Sequence, residues 1–440
     1  MKFIGVMTGN SLDAVDVVLT EFNDKSIKDI CGYSLPIPQE ISSKFIELKQ
    51  KLILNNGDIE KIYKDSPQEF LILHDDYINL VAQTIKCLLT KNNINSSEIE
   101  AIGFHGQTCY HLPPSIAGDE KEPITIQVGS GQMLADITDI PVVFDFRSDD
   151  IMNGGEGAPL APIHHVHISE FLREKDVFPV AFCNGGNTGN ISIVSEDINS
   201  KELKVVGWDV GPFNHYVDYL ARTELGIPCD VDGKVGKTGK VNYELMDKLF
   251  SSAVLTANGD NFLNLLPPKS SDPAWYKIIP ELTDNSVPLA DRIYTVECFS
   301  AEIFVKSLSQ IPFNVERPKH FLLFGGGWNN QVIKKHFENV LRNKSSFLRY
   351  SSRKYNFVHI ENAVIEFADA LGYNSKYMEA RIFADMAKCF VLKQPFSIPS
   401  VTGCKKPTKC GIMVKPNGNN KQLWSRAVKG WSLKQKISHL

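Results

Sequence analysis

With 440 residues, 43% of them hydrophobic and 22% charged, the chain has the composition of a globular protein too long for one small core. A net charge of −4 gives no electrostatic reason to expect nucleic acid or an anionic membrane as partner, and no apolar run is long enough to span a bilayer. Nine scattered cysteines, odd in number and without a Cys-x-x-Cys pair, read as reduced thiols of a cytoplasmic protein rather than disulfides or zinc ligands.

The apolar run Phe3-Ile4-Gly5-Val6-Met7 breaks at Thr8-Gly9 and predicts a strand rather than a signal peptide. With Val15-Asp16-Val17-Val18-Leu19 it makes a β-hairpin. The turn between them, rich in Gly, Asn, Ser and Asp, can aim backbone N–H groups at a phosphate, with Asp13 or Asp16 available for a metal; an ordinary polar hairpin is the alternative. Ile41, Phe45, Leu48 and Leu52 share one helical face, and Ser66-Pro67-Gln68-Glu69 reads as a capping box opening a helix to about residue 89. Strands follow at 101–104, 124–128 and 141–146. Between the first two, His105-Gly106-Gln107-Thr108 stands at a strand end, where open α/β sheets place ligands, unless it merely caps the strand. Asp145-Phe146-Arg147 runs toward a glycine cluster at 154–157 that predicts a flexible hinge or lid, with Arg147 set to fork onto an anionic or polyhydroxylated ligand. His164-His165-Val166-His167 has no carboxylate or Cys partner nearby and reads as a helix or loop surface rather than a zinc site.

A second hairpin, built around Asn184-Gly185-Gly186-Asn187-Thr188-Gly189-Asn190, repeats the layout of the first and suggests two related lobes facing one cleft. Next, Gly207-Trp208-Asp209-Val210-Gly211-Pro212-Phe213-Asn214 reads as a tight loop feeding a helix with Pro212 at its first position. Such a junction suits a phosphate, beside which Asp209 either does chemistry or only shapes the turn. Residues 229–240 read as an exposed loop, and Leu265-Leu266-Pro267-Pro268-Lys269 as a rigid turn ending in a lysine. After a helix predicted over 290–308, the strand His320-Phe321-Leu322-Leu323-Phe324 enters Gly325-Gly326-Gly327 and a further helix, a backbone approach site for a nucleotide or a tight connection needing small residues. Tyr377-Met378-Glu379 opens an apolar helix whose Glu379 binds a sugar hydroxyl or is one more solvated acid. The basic stretch from Trp424 onward reads as an exposed appendage.

Together these motifs resemble the anhydro-N-acetylmuramic acid kinase family of the sugar kinase, heat-shock ATPase and actin superfamily. The match keeps its order from Met7-Thr8-Gly9 to Val401-Thr402-Gly403 and takes in His105-Gly106-Gln107-Thr108, Asp145-Phe146-Arg147, Gly155 to Pro159, the Asp209 segment, Pro267-Pro268-Lys269-Ser270, Gly325-Gly326-Gly327 and Glu379-Ala380. The resemblance implies an α/β fold of two ribonuclease-H-like lobes with actin-like ATPase architecture, the active site in the cleft between them, and ATP and Mg2+ as cofactors. The first lobe is expected over 1–146 and about 393–440, the second over 147–392. Gly9, Asn10, Ser11, Leu12, Asp13, Ala14, Val15, Asp16, Gly186, Gly211 and Asn214 are expected around the phosphates. Gly325, Gly326 and Gly327 are expected near the nucleoside, Asp13 on Mg2+, and Gln107, Thr108, Arg147 and Glu379 toward the sugar.

Asp209 is the implied general base in a reaction that cleaves the 1,6-anhydro bridge with water and phosphorylates the 6-oxygen. The implied partners are a small anhydrosugar and ATP, with a homodimer by superfamily analogy. The chain departs from the family pattern at Asn10, Ala14 and Asn187, and at Phe213, where the family has Gly and where a Phe side chain is expected to crowd a ligand. Two other readings stand beside this one: a kinase for another anhydrosugar such as levoglucosan, and a non-catalytic ATP-binding protein on the same fold. Retention of Asp209 speaks against the second.

Overall fold

A computed structural model describes residues 1–197, 199–344 and 357–428. Contacts divide the chain into two α/β units, the first comprising Met1–Pro114, Glu122–Phe171 and Tyr377–Leu440, the second Ser115–Lys121 and Leu172–Lys376. The first unit begins with strands β1 (Lys2–Thr8), β2 (Ala14–Asn23), β3 (Ser26–Pro36), β4 (Ala101–Phe104), β5 (Gln107–Leu112), β6 (Ile124–Val128) and β7 (Val142–Phe144). The second holds β8 (Val180–Gly185), β9 (Thr188–Glu196), β10 (Leu203–Pro212), β11 (His320–Phe324) and β12 (Val364–Phe367). The chain then returns to the first unit with β13 (Ile412–Val414) and β14 (Trp424–Val428).

The main sheet of the first unit runs β13-β7-β4-β1-β2-β3, and that of the second β10-β9-β8-β11-β12. Apart from the added β13, the order is the same: an antiparallel meander of three strands, then two parallel neighbours beside the first strand. Both lobes are thus of the ribonuclease-H-like α/β class. A three-stranded sheet, β14-β6-β5, completes the first unit.

Buried Phe3, Ile4 and Val6 on β1 and a wholly buried β4 mark a sheet covered on both faces. The helix Met378–Val391 lies on β1 and β4, where glycine is required for contact. A Cβ on Gly5 would stand 1.7 Å from the Ala380 carbonyl oxygen, and one on Gly103 1.9 Å from that of Phe383. Arg381 Nε donates to Asp29 Oδ1 of β3 at 2.8 Å and pins the same helix. In the second unit the helix Leu289–Ser307, buried along most of its length, packs against Gln331–Leu341. No described helix is long and apolar enough to cross a membrane.

Several local expectations are corrected. The helix Pro67–Lys91 has its proline at the first turn, but Ser66 makes no side-chain cap bond. Its N–H already closes the preceding helix Ile59–Asp65 through the Ile62 carbonyl at 3.2 Å. The glycine cluster at 154–157 is no lid: Gly155, Glu156 and Gly157 are buried, and the Gly157 N–H donates to Asp150 Oδ2 at 2.6 Å.

His164 and His165 are buried rather than on a surface. The partner that the local sequence lacks lies far along the chain: His164 Nδ1 and His167 Nδ1 both meet Asp385 Oδ2, at 2.8 and 2.6 Å. Those bonds tie 162–169 to the helix Met378–Val391, so residues 147–171 and 377–392, expected in the second lobe, pack with the first. Trp424 also begins not an appendage but β14, hydrogen-bonded to β6, with its ring against Tyr63 and Phe70. The remainder of the basic tail, 429–440, lies outside the described residues.

Candidate active site

In the first unit, three predicted segments follow the ends of the adjacent parallel strands β1, β4 and β7, the edge where open α/β sheets bind ligands. Gly9, Asn10, Ser11, Leu12 and Asp13 form the β1–β2 turn, and Ala14, Val15 and Asp16 begin β2. Leu12 has φ 56°, and Ser11 Oγ donates to Asp13 Oδ1 at 2.5 Å. Lys49 Nζ, from the helix Gln39–Leu54, donates to Asn10 Oδ1 at 3.0 Å, a cation that the sequence reading did not associate with the turn. Asp16 accepts from Ser34 of β3. Asp13 is exposed, and its carboxylate and the Ser11 hydroxyl are hard oxygen donors, the kind Mg2+ takes together with phosphate oxygens.

Gln107 and Thr108 start β5 after Gly106 turns the chain at φ 77°, so the polar tetrad joins two strands instead of ending one. Arg147 joins them through His105: its Nε donates to His105 Nε2 at 2.9 Å, and its Nη1 to the Gly157 carbonyl at 2.7 Å. Because His105 Nε2 accepts, the imidazole proton sits on Nδ1, 2.9 Å from the Gly106 carbonyl. Burial first, then the Arg147 charge, holds His105 well below the usual histidine range and therefore neutral. Gln107 Oε1 and Gln127 Oε1 are buried with no hydrogen-bond partner among the described residues. Glu379 is set differently: it is half-buried in the first turn of the helix lying on β1 and β4, not at a strand end.

In the second unit the predicted residues converge at one end of the sheet. Asp209 and Gly211 belong to β10 rather than to a loop, because that strand stays paired with β9 as far as Pro212, with a register shift between Asp209 and Gly211. Pro212 is therefore the last strand residue, and the helix His215–Leu225 starts after Asn214. The Asn214 N–H donates to the Gly186 carbonyl at 3.2 Å and its side-chain amide to that of Gly185 at 3.3 Å, joining β10 to the β8–β9 turn.

The triple glycine after β11 closes on the same turn. A Cβ on Gly325 would stand 2.5 Å from Asn184 Oδ1, and one on Gly327 2.3 Å from Asn214 Oδ1, whereas nothing lies within 4 Å of one on Gly326. Phe213 does not project at a ligand. It is fully buried, its ring 4.7 Å from that of Trp328 and 5.3 Å from that of Phe304.

Asp209 is 4% exposed, and its Oδ2 accepts from Ser270 Oγ at 2.7 Å and from the Ser271 N–H at 2.9 Å. Its own N–H donates to the Lys269 carbonyl at 3.2 Å. Burial, followed by the Lys306 charge, pushes Lys269 well below the usual lysine range, while Asp209 pulls the other way. Ser270 stood inside a recognised motif without a role, and Ser271 carried no signal, since the carboxylate it meets lies 62 positions away. A buried base with two hydrogen-bond donors and one defined face can take a proton from a bound water or hydroxyl.

A family model for anhydro-N-acetylmuramic acid kinase matches residues 1–416. The anhydro-N-acetylmuramic acid kinase of Zymomonas mobilis is 31% identical over 414 residues, 93% of this chain and 99% of that protein. That of Hahella chejuensis is 30% identical over 406 residues, 91% and 95% of the two chains. That of Haemophilus influenzae is 28% identical over 426 residues, 93% and 97%. With two lobes of matching strand order, a buried carboxylate beside glycine turns, and a family match that runs from the first residue through β13, the chain belongs to the anhydro-N-acetylmuramic acid kinase family and is a carbohydrate kinase.

Proposed function

We propose that the protein uses ATP to convert 1,6-anhydro-N-acetylmuramic acid into N-acetylmuramic acid 6-phosphate in cell-wall recycling. Water adds to the anomeric carbon, the bond from that carbon to the bridging 6-oxygen breaks, and the freed oxygen takes the γ-phosphoryl group, releasing ADP. Asp209 accepts the water's proton. The observation that carries this assignment is the pair of donors on Asp209 Oδ2, which fix a buried carboxylate in one orientation.

Gln107, Thr108, Arg147 and Glu379 orient the sugar, and the rigid bond of Arg147 to a neutral His105 keeps its guanidinium from swinging. Gly9 to Asp16, Gly186, Gly211 and Asn214 hold the phosphates by backbone N–H groups and small polar side chains. At the triple glycine, Gly326 offers the open backbone for the nucleoside, its two neighbours being enclosed by protein. Asp13 would hold Mg2+ together with the phosphates, and the ion would supply charge neutralisation on the transferred group.

A coupled ADP-release assay over a panel of sugars tests the reading. Turnover with 1,6-anhydro-N-acetylmuramic acid and not with N-acetylmuramic acid is expected. Turnover confined to levoglucosan moves the substrate to another anhydrosugar, and turnover confined to an unbridged sugar sinks the proposal.

A further inference from the structure

A chain of hydroxyl groups runs beside Asp209. Thr188 Oγ1 lies 2.7 Å from the Tyr276 hydroxyl, which lies 2.9 Å from Ser271 Oγ, and the Ser271 N–H donates to Asp209 Oδ2 at 2.9 Å. The two ends of this chain are different in kind. Thr188 opens β9 directly after Gly186-Asn187, the turn assigned to phosphate, whereas Ser271 holds the carboxylate assigned as base. Tyr276 is 6% exposed, and the His215 ring stands edge-on to it at 5.1 Å. Burial raises the Tyr276 hydroxyl well above the usual phenol range and brings His215 down to about 4, so both are neutral at working pH. The tyrosine is therefore a fixed neutral link with one proton to give, and its two neighbours are hydroxyls that can each give or accept.

We infer that Tyr276 is a positioning residue that, through Thr188 and Ser271, couples the phosphate turn β8–β9 to the orientation of the Asp209 carboxylate. Movement of the turn against a bound phosphate is passed along the hydroxyl chain to the backbone N–H that fixes the base. The inference rests on the assignment of Asp209 as base and of the Gly186 turn to phosphate. Tyr276 touches no reacting atom; it acts by holding the group that does. Misplacing a base by a fraction of an ångström lowers the rate of the chemical step without weakening ligand binding in proportion.

The test is steady-state kinetics on Tyr276→Phe, Thr188→Val, Thr188→Ser and the double variant Tyr276→Phe/Thr188→Val, with Asp209→Asn in parallel. Removing the link is expected to lower kcat roughly tenfold with the KM for ATP and for sugar within about twofold of wild type. Thr188→Val is expected to match that loss, Thr188→Ser to keep wild-type kcat, and the double variant to be no slower than the slower single. Wild-type kcat in Tyr276→Phe, a loss carried by KM, or additive losses in the double variant overturns the inference. Should Tyr276→Phe fail to fold, the contrast between Thr188→Val and Thr188→Ser decides, and equal rates overturn it. An inactive Asp209→Asn beside a fully active Tyr276→Phe removes the coupling alone, while a fully active Asp209→Asn removes the base assignment and the coupling together.

Discussion

The β1–β2 and β8–β9 turns occupy the same place in the same strand order, yet the first is held by polar side chains and the second by aromatic rings beneath it. At the first, Ser11 bonds Asp13 and Lys49 bonds Asn10, and a Cβ on Gly9 would find its nearest neighbour at 3.4 Å. At the second, a Cβ on Gly185 would stand 2.7 Å from Phe213 and Trp328, and one on Gly189 2.6 Å from Phe304. Repeated topology thus fixes where each glycine-rich turn stands, and local packing decides how stiff it is. The first turn offers charge and adjustable side chains; the second offers a braced backbone beside Asp209.

The sharpest test of that division is Asp209→Asn on the braced side. It is expected to lower kcat by about three orders of magnitude while ATP still binds, which isothermal titration and turnover assays measure separately. Near-wild-type turnover would take Asp209 out of the base role.

Acid should separate the two units next. In the first, burial lowers His74, His105, His164 and His165, and brings His111 to about 3. Each is neutral in the fold and protonates near pH 6.5 when unfolded, so its stabilisation is present above that pH and is lost as pH falls toward the folded value. Below pH 7 the first unit therefore loses stability through these five groups. In the second unit His215 behaves likewise, but His336, despite burial, is raised to about 10 by Cys298 and Glu302 and gains on acidification. Hydrogen exchange corrected for intrinsic rates should therefore show the first unit losing more protection, and equal losses would contradict this.

Gly185→Ala should cost about 1 to 3 kcal/mol by overpacking Phe213 and Trp328, read as a lowered denaturant midpoint. Gly9→Ala, in contrast, should leave stability within about 0.5 kcal/mol of wild type and raise the KM for ATP roughly tenfold. If both glycines behaved alike, the contrast between the turns would fail.

What the sequence made legible was the part written in local pattern. Alternating strands around Gly-rich turns gave both hairpins, apolar spacing gave the helix Gln39–Leu54, and Pro67 marked the start of Pro67–Lys91. What escaped was set by partners far along the chain. Asp209 finds Ser270 across 61 positions, and His164 finds Asp385 across 221, and no periodicity encodes either pairing. The 154–157 cluster looked mobile because glycine is permissive, but its backbone polar groups are claimed by Asp150 and Thr402. Phe213 looked obstructive because its neighbours are small; those glycines instead make room for its ring.

The division of the chain also bears on the order in which it can fold during synthesis. The helix Met378–Val391, whose backbone lies on Gly5 and Gly103, is made some 370 residues after β1, and β13 and β14 follow later still. The second unit, drawn almost wholly from 172–376, has all its strands before that helix leaves the ribosome. Until that helix is made, the helix-bearing face of β1 and β4 has no cover from it, so the unit that starts later can complete its fold before the one that starts first.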